Sequence, residues 1–218
     1  MKKKFKYLIY SLIILLIFGI GNGIYADISI EDLKNEYANE HSQFIEVHEM
    51  NVHYRDEGEG FPIVLIHGTA ASLHTWDDWT DELKKTNRVI RMDLPAFGIT
   101  GPNKNADYSL QAYTDFLNSF IDKLKLEKFH LAGNSLGGNI AWNYAADYPQ
   151  KIEKLILVDA SGLPTNKQPP SIFKMAKNPL LKTLFLYVTP KMLIKKNIEE
   201  VYADDSKITE ELVNRYHK

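Results

Sequence analysis

Apolar positions along this 218-residue chain follow two different spacings. Pro62–Ile66 and Leu155–Val158 are apolar at consecutive positions, the mark of strands buried on both faces. Arg88–Asp93 and the residues leading into Leu131 read as further strands. Helical spacings lie between them. Thr75, with Asp78 three residues on, predicts a capped helix with Trp76, Trp79 and Leu83 on one face. Ser109 predicts the cap of a second helix, whose face is Leu110, Tyr113, Leu117, Phe120, Ile121 and Leu124. A third helix runs from Leu136 to Tyr148 and stops at Pro149, which cannot continue it. Strands alternating with helices in this way predict an α/β domain, a mostly parallel sheet with helices on both faces.

The flanks are organised differently. Residues 1–26 open with Lys2, Lys3, Lys4 and Lys6 and continue as an apolar run from Tyr7 to Ile20, which predicts a signal peptide or a membrane anchor. The chain is then expected to be membrane-anchored and facing outside the cytoplasm, or secreted. Residues 27–42 carry Glu31, Asp32, Glu36 and Glu40 and read as a polar spacer with some helix. From Gln43 to Arg55 rough alternation around a break near Glu49–Asn51 suggests a hairpin. The core is expected over residues 43–163. Residues 164–218 change to Pro164, Pro169 and Pro170 followed by helical spacings that include Ile172, Phe173, Met175, Leu184, Phe185 and Leu193, a partial helical cap.

Composition narrows the function classes. With 44% hydrophobic and 25% charged residues the chain is globular, and a net charge of −2 without a basic cluster beyond the N-terminus gives no footprint for nucleic acid. The absence of cysteine excludes disulfides, a thiolate nucleophile and cysteine-ligated metal. His41, His48, His53, His67, His74 and His130 show no ligand spacing with carboxylates, so no metal site is expected. No cofactor is implied.

The chemistry concentrates in Gly133-Asn134-Ser135-Leu136-Gly137-Gly138, a Gly-x-Ser-x-Gly run between a strand and a helix. On such a turn a serine hydroxyl stands at the top of a sheet, and the flanking glycines are needed because side chains there would collide. Together with His67-Gly68-Thr69-Ala70-Ala71-Ser72 after one strand and Asp93-Leu94-Pro95-Ala96-Phe97-Gly98 after another, the run resembles the α/β-hydrolase fold family from about Phe44 onward. Capped serine hydrolases are the nearest in pattern, esterases and carbon–carbon bond hydrolases of ring-cleavage products among them. The resemblance implies Ser135 as nucleophile toward a small ester or acyl substrate. It implies an oxyanion hole formed by the backbone N–H groups of Leu136 and Thr69, and close-packing roles for Gly68, Gly133 and Gly137. It gives His67 a structural role in its loop. Ala96 stands where the family usually has glycine.

In this fold the triad runs serine, acid, histidine along the chain. After Ser135 the one histidine is His217. Ser135, Asp159 and His217 satisfy the order formally, but Ile208–Tyr216 is spaced as a helix, whereas the base belongs after a late core strand. The last strands of the sheet, with the acid and the base, are therefore expected to be missing. The isolated chain is expected to be inactive or nearly so, with a complementary C-terminal chain as one partner. A non-catalytic, membrane-tethered binding protein with a degenerate hydrolase fold is the alternative.

Overall fold

The computed structural model describes residues 5–7, 9–11, 13, 28–164, 178 and 191–217. The chain divides into two compact units, Ser29–Thr165 and Met1–Ile28 together with Asn166–Lys218. Most of the membrane-segment expectation for residues 1–26 and most of the cap expectation lie outside the described residues. Among the described residues no helix is long and apolar enough to cross a membrane.

In the Ser29–Thr165 unit, helix α1 (Ile30–Tyr37) precedes strands β1 (Ser42–Val47), β2 (Met50–Glu57) and β3 (Phe61–Ile66). Helix α2 (Asp77–Leu83), β4 (Asn87–Met92), α3 (Leu110–Lys123), β5 (Phe129–Asn134), α4 (Leu136–Asp147) and β6 (Ile152–Val158) follow. The sheet order is β1-β2-β4-β3-β5-β6. β1 and β2 form an antiparallel hairpin, β2 pairs antiparallel with β4, and the remaining neighbours are parallel. The predicted α/β architecture is therefore present.

Burial explains the consecutive apolar run of β3. Val64 and Ile66 pack on one face with Phe116, Leu117 and Phe120 of α3 and Ile140 and Tyr144 of α4. Ile63 and Leu65 pack on the other face with Trp76, Val89 and Ala132. Each such side chain, fully buried, contributes about 1.5–3 kcal/mol relative to exposure, so loss of either face would unfold the unit. Ser109 caps α3 as its position predicts, its side chain accepting the amide of Ala112 at 3.2 Å. The helix then directs Tyr113, Phe116, Leu117, Phe120 and Ile121 inward.

Three local expectations are corrected. Thr75 caps nothing: Leu73–Trp76 is a 3-10 turn, and α2 begins at Asp77 without a side-chain cap. The tighter turn shifts the helical phase, so Trp76 is buried while Trp79 remains 43% exposed, edge-on to it at 5.1 Å. The hairpin turn lies at His48–Glu49, both with positive φ (48° and 62°), the requirement of a two-residue type I′ turn. β6 is not buried on both faces. It ends the described sheet, and Leu155 and Leu157 are each 38% exposed on it.

The second unit contains α5 (Lys191–Glu199) and α6 (Glu210–His217), joined by an ion pair of Lys191 with Glu210 at 2.8 Å. The helical spacing read at Ile208–Tyr216 corresponds to α6, and His217 is its last residue.

Candidate active site

β5 delivers Ser135 into a turn of two-sided strain. Its φ of 50° and ψ of −113° fall outside the ordinary regions for a side-chain-bearing residue, at a cost of about 1–3 kcal/mol that the surroundings must offset. Three groups do so. The Ser135 amide donates to Val158 O at 3.1 Å, and its carbonyl accepts the amides of Asn139 and Ser161, each at 3.0 Å. The serine is thereby held between the end of β5 and the start of α4, its side chain partly exposed. Leu136 is the first residue of α4, so its N–H has no intrahelical acceptor and belongs to the positive end of the helix dipole.

Close packing accounts for the glycines. A Cβ on Gly133 would strike the carbonyl of Gly137, and one on Gly137 would strike Ile66 O and lie 2.5 Å from His67 O. A Cβ on Gly68 would lie 3.1 Å from Ser135 Cβ and 2.9 Å from Asn134 Oδ1. The loop after β3 is thus pressed against the serine, with Thr69 exposed as its next residue.

His67 holds that loop in place. Its buried ring has Nδ1 2.8 Å from the carbonyl of Gly68, while the amide of Leu94 donates to Nε2 at 3.0 Å. An N–H donated to Nε2 requires that nitrogen to be unprotonated, so the ring is the neutral Nδ1–H tautomer. Burial also pushes its pKa below the ordinary 6.5. Both nitrogens are therefore committed, and His67 is a loop brace.

Asp93 reads from the sequence as the end of a strand and the first residue of a loop motif, and it is the polar hub of this edge. Fully buried, its carboxylate accepts the amides of Leu73 at 2.8 Å and Ile99 at 3.0 Å and pairs with Nδ1 of His53 at 2.8 Å. Burial opposes its charge, but the His53 contact and the Leu73 amide outweigh that effect and hold the carboxyl below its ordinary 3.8. The Leu73 bond fixes the far end of the loop that begins at His67. Asp93 opens a motif read from the sequence, but its pairing with His53 is not legible there, because the contact spans 40 residues and depends on β2 lying beside β4. Ala96, with φ 75°, occupies the conformation that favours glycine, and its amide donates to Gly101 O at 2.8 Å.

Among the described residues no hydrogen bond reaches Oγ of Ser135. Asp159 follows β6 in a left-handed conformation, φ 44°, and is exposed. His217 lies in the other unit.

Residues 62–184, more than half of the chain, match the family model of the alpha/beta hydrolase fold. This chain belongs to the α/β-hydrolase family. Among curated proteins it is 34% identical over 116 residues to 2-hydroxymuconate semialdehyde hydrolase of Pseudomonas sp. (strain CF600), covering 52% of this chain and 40% of that one. It is 32% identical over 188 residues to 2-hydroxy-6-oxononadienedioate/2-hydroxy-6-oxononatrienedioate hydrolase of Comamonas testosteroni, covering 79% and 62%. Among solved structures it superposes with TM-score 0.68 and 27% identity on a meta-cleavage product hydrolase, CumD, from Pseudomonas fluorescens IP01. That structure is a serine-to-alanine mutant complexed with acetates, and the match covers 80% of this chain and 62% of that one. The chain thus spans 40% to 62% of the length of these relatives.

Proposed function

We propose that this α/β-hydrolase chain carries the nucleophile and oxyanion hole of a serine hydrolase that cleaves a carbon–carbon or ester bond next to a carbonyl group. The observation that carries the reading is the strained turn at Ser135, φ 50° and ψ −113°, with Gly68 pressed against its Cβ. Strain of this kind is retained where the surroundings over-determine it, typically at reacting groups. Similarity to a solved structure named as a meta-cleavage product hydrolase favours the carbon–carbon branch of the substrate class.

In this mechanism Ser135 Oγ adds to the substrate carbonyl carbon, and the oxyanion is received by the N–H groups of Leu136 and Thr69. One such donor lowers the barrier by about 3–4 kcal/mol, so the braces at His67 and Asp93, which fix the Thr69 loop, matter alongside the nucleophile. A serine hydroxyl without a base is a weak nucleophile. With His67 committed to its loop, the acid and base are supplied by a segment that adds strands beside β6, the last strand of the described sheet. The chain alone is inactive or nearly so. Coexpression with the C-terminal third of 2-hydroxymuconate semialdehyde hydrolase should generate turnover of a nitrophenyl ester or a ring-cleavage product that Ser135→Ala abolishes. A stable complex with no turnover of either substrate would instead favour a ligand-binding protein on a degenerate hydrolase fold, the reading supported by the unpartnered Ser135 hydroxyl among the described residues.

The four N-terminal lysines and the apolar run after them support delivery of the domain across a membrane, as an anchored or a secreted form. Fractionation of cells expressing the chain tests this, and recovery in the cytosol alone would reject it.

A further inference from the structure

A second serine of this chain has the connectivity by which a hydroxyl is activated, and it lies outside the elbow. Ser42, the first residue of β1, is partly exposed, and its Oγ lies 2.8 Å from Nε2 of His53. The other ring nitrogen of His53 is 2.8 Å from Oδ2 of Asp93. With two backbone amides already donating to that carboxylate, it accepts from Nδ1–H of His53, which leaves Nε2 as the acceptor of the Ser42 hydroxyl.

The register of the hairpin produces this arrangement. Phe44 lies directly opposite His53 and Ser42 opposite Arg55, so Ser42 and His53 are diagonal neighbours on one face of the β1–β2 pair. The third member arrives from the end of β4, where the amide of Asp93 donates to His53 O at 2.9 Å. The Phe44 ring, 5.2 Å from the imidazole, and complete burial keep water from the base, while Ser42 itself is partly exposed. The Asn39 amide donates to the same Oγ at 3.1 Å, fixing its position. Nucleophile, base and orienting acid are all within hydrogen-bond reach, the signature of an activated serine on any fold.

We infer that Ser42 is a second nucleophilic serine of this chain, one that accepts phosphonyl or activated acyl groups covalently through the Ser42–His53–Asp93 relay. With an alkyl fluorophosphonate, the Ser42 Oγ–P bond forms as the P–F bond breaks. The hydroxyl proton passes to Nε2 of His53, the imidazolium is held by Asp93, and fluoride leaves. The product is one stable adduct per chain, not turnover.

The test is site-resolved labelling of the full chain at pH 7.5 with an alkyl fluorophosphonate, followed by digestion and mass spectrometry, which counts adducts at Ser42 and Ser135 separately. Ser42 should be modified at least about 100-fold faster than the exposed Ser109 of the same molecules. His53→Gln should reduce the Ser42 rate at least about tenfold while far-ultraviolet circular dichroism remains that of the parent. No adduct at Ser42, a rate equal to that of Ser109, or an unchanged rate in folded His53→Gln would each overturn the inference. The Ser109 comparison uses the parent protein alone and decides the matter even where the variant fails to fold.

Discussion

Nε2 of His67 accepts the amide of Leu94 at 3.0 Å, so the ring that opens the loop after β3 is fixed by the loop after β4. Protonation would set an N–H against an N–H. Because burial lowers the folded-state pKa below 6.5, the unfolded chain takes up this proton first. The stability contributed by His67 is complete above about pH 6.5 and is lost as the pH falls through the folded-state value. Urea unfolding at pH 7.5 and pH 5.5 should show a decline in the parent that is smaller in His67→Gln, which itself costs about 1–3 kcal/mol at pH 7.5. Equal declines in both would assign the pH dependence elsewhere.

Asp93 gives a second substitution test, with loss again on acidification. A fully buried carboxylate with three donors leaves those donors unpaired when removed, so Asp93→Ala should cost about 3–5 kcal/mol in denaturant unfolding. Its folded pKa lies below 3.8, so its contribution is present above that pH and disappears as acid titrates the native carboxyl.

Gly137→Ala should destabilise the unit by about 1–3 kcal/mol, because the added methyl meets the backbone carbonyls of Ile66 and His67, which cannot rotate away. Thermal unfolding measures this. A melting temperature equal to that of the parent would mean that α4 can shift away from β3 without loss.

Ala96→Gly should stabilise. At φ 75° the alanine carries a left-handed penalty of about 1–2 kcal/mol, only part of which is cancelled by the greater freedom of glycine in the unfolded chain. A rise in denaturation midpoint with an unchanged slope is the expected result.

Replacing Leu155 with Thr and Leu157 with Lys should cost about 1 kcal/mol or less, since each is 38% exposed on the last described strand. The same double variant should lower any self-association measured by light scattering, because β6 ends the described sheet and a strand edge with apolar side chains recruits other strands. It should also weaken complementation by a C-terminal segment if that segment docks on β6.

Much of the fold is local and therefore legible. The β3 run, the capped α3 spacing, Pro149 after α4 and the Gly-x-Ser-x-Gly turn each encode their conformation within a few residues. The expected burial of β6 failed for a non-local reason, since an apolar run states what a strand can bury and not whether a neighbour is there to cover it. Thr75 failed because a 3-10 turn and a capped α-helix begin with the same residue types.

By itself the sequence determined the α/β pattern, the serine on its elbow and the loop expected to face it, because periodicity and glycine spacing act through backbone sterics between near neighbours. Tertiary structure alone decided that His67 spends both nitrogens on two loops, that Asp93 anchors the loop bearing Thr69, and that Ser42 meets His53. Those contacts join residues up to 27 positions apart, and they exist only because β3 lies beside β4 and β1 beside β2 in the folded sheet.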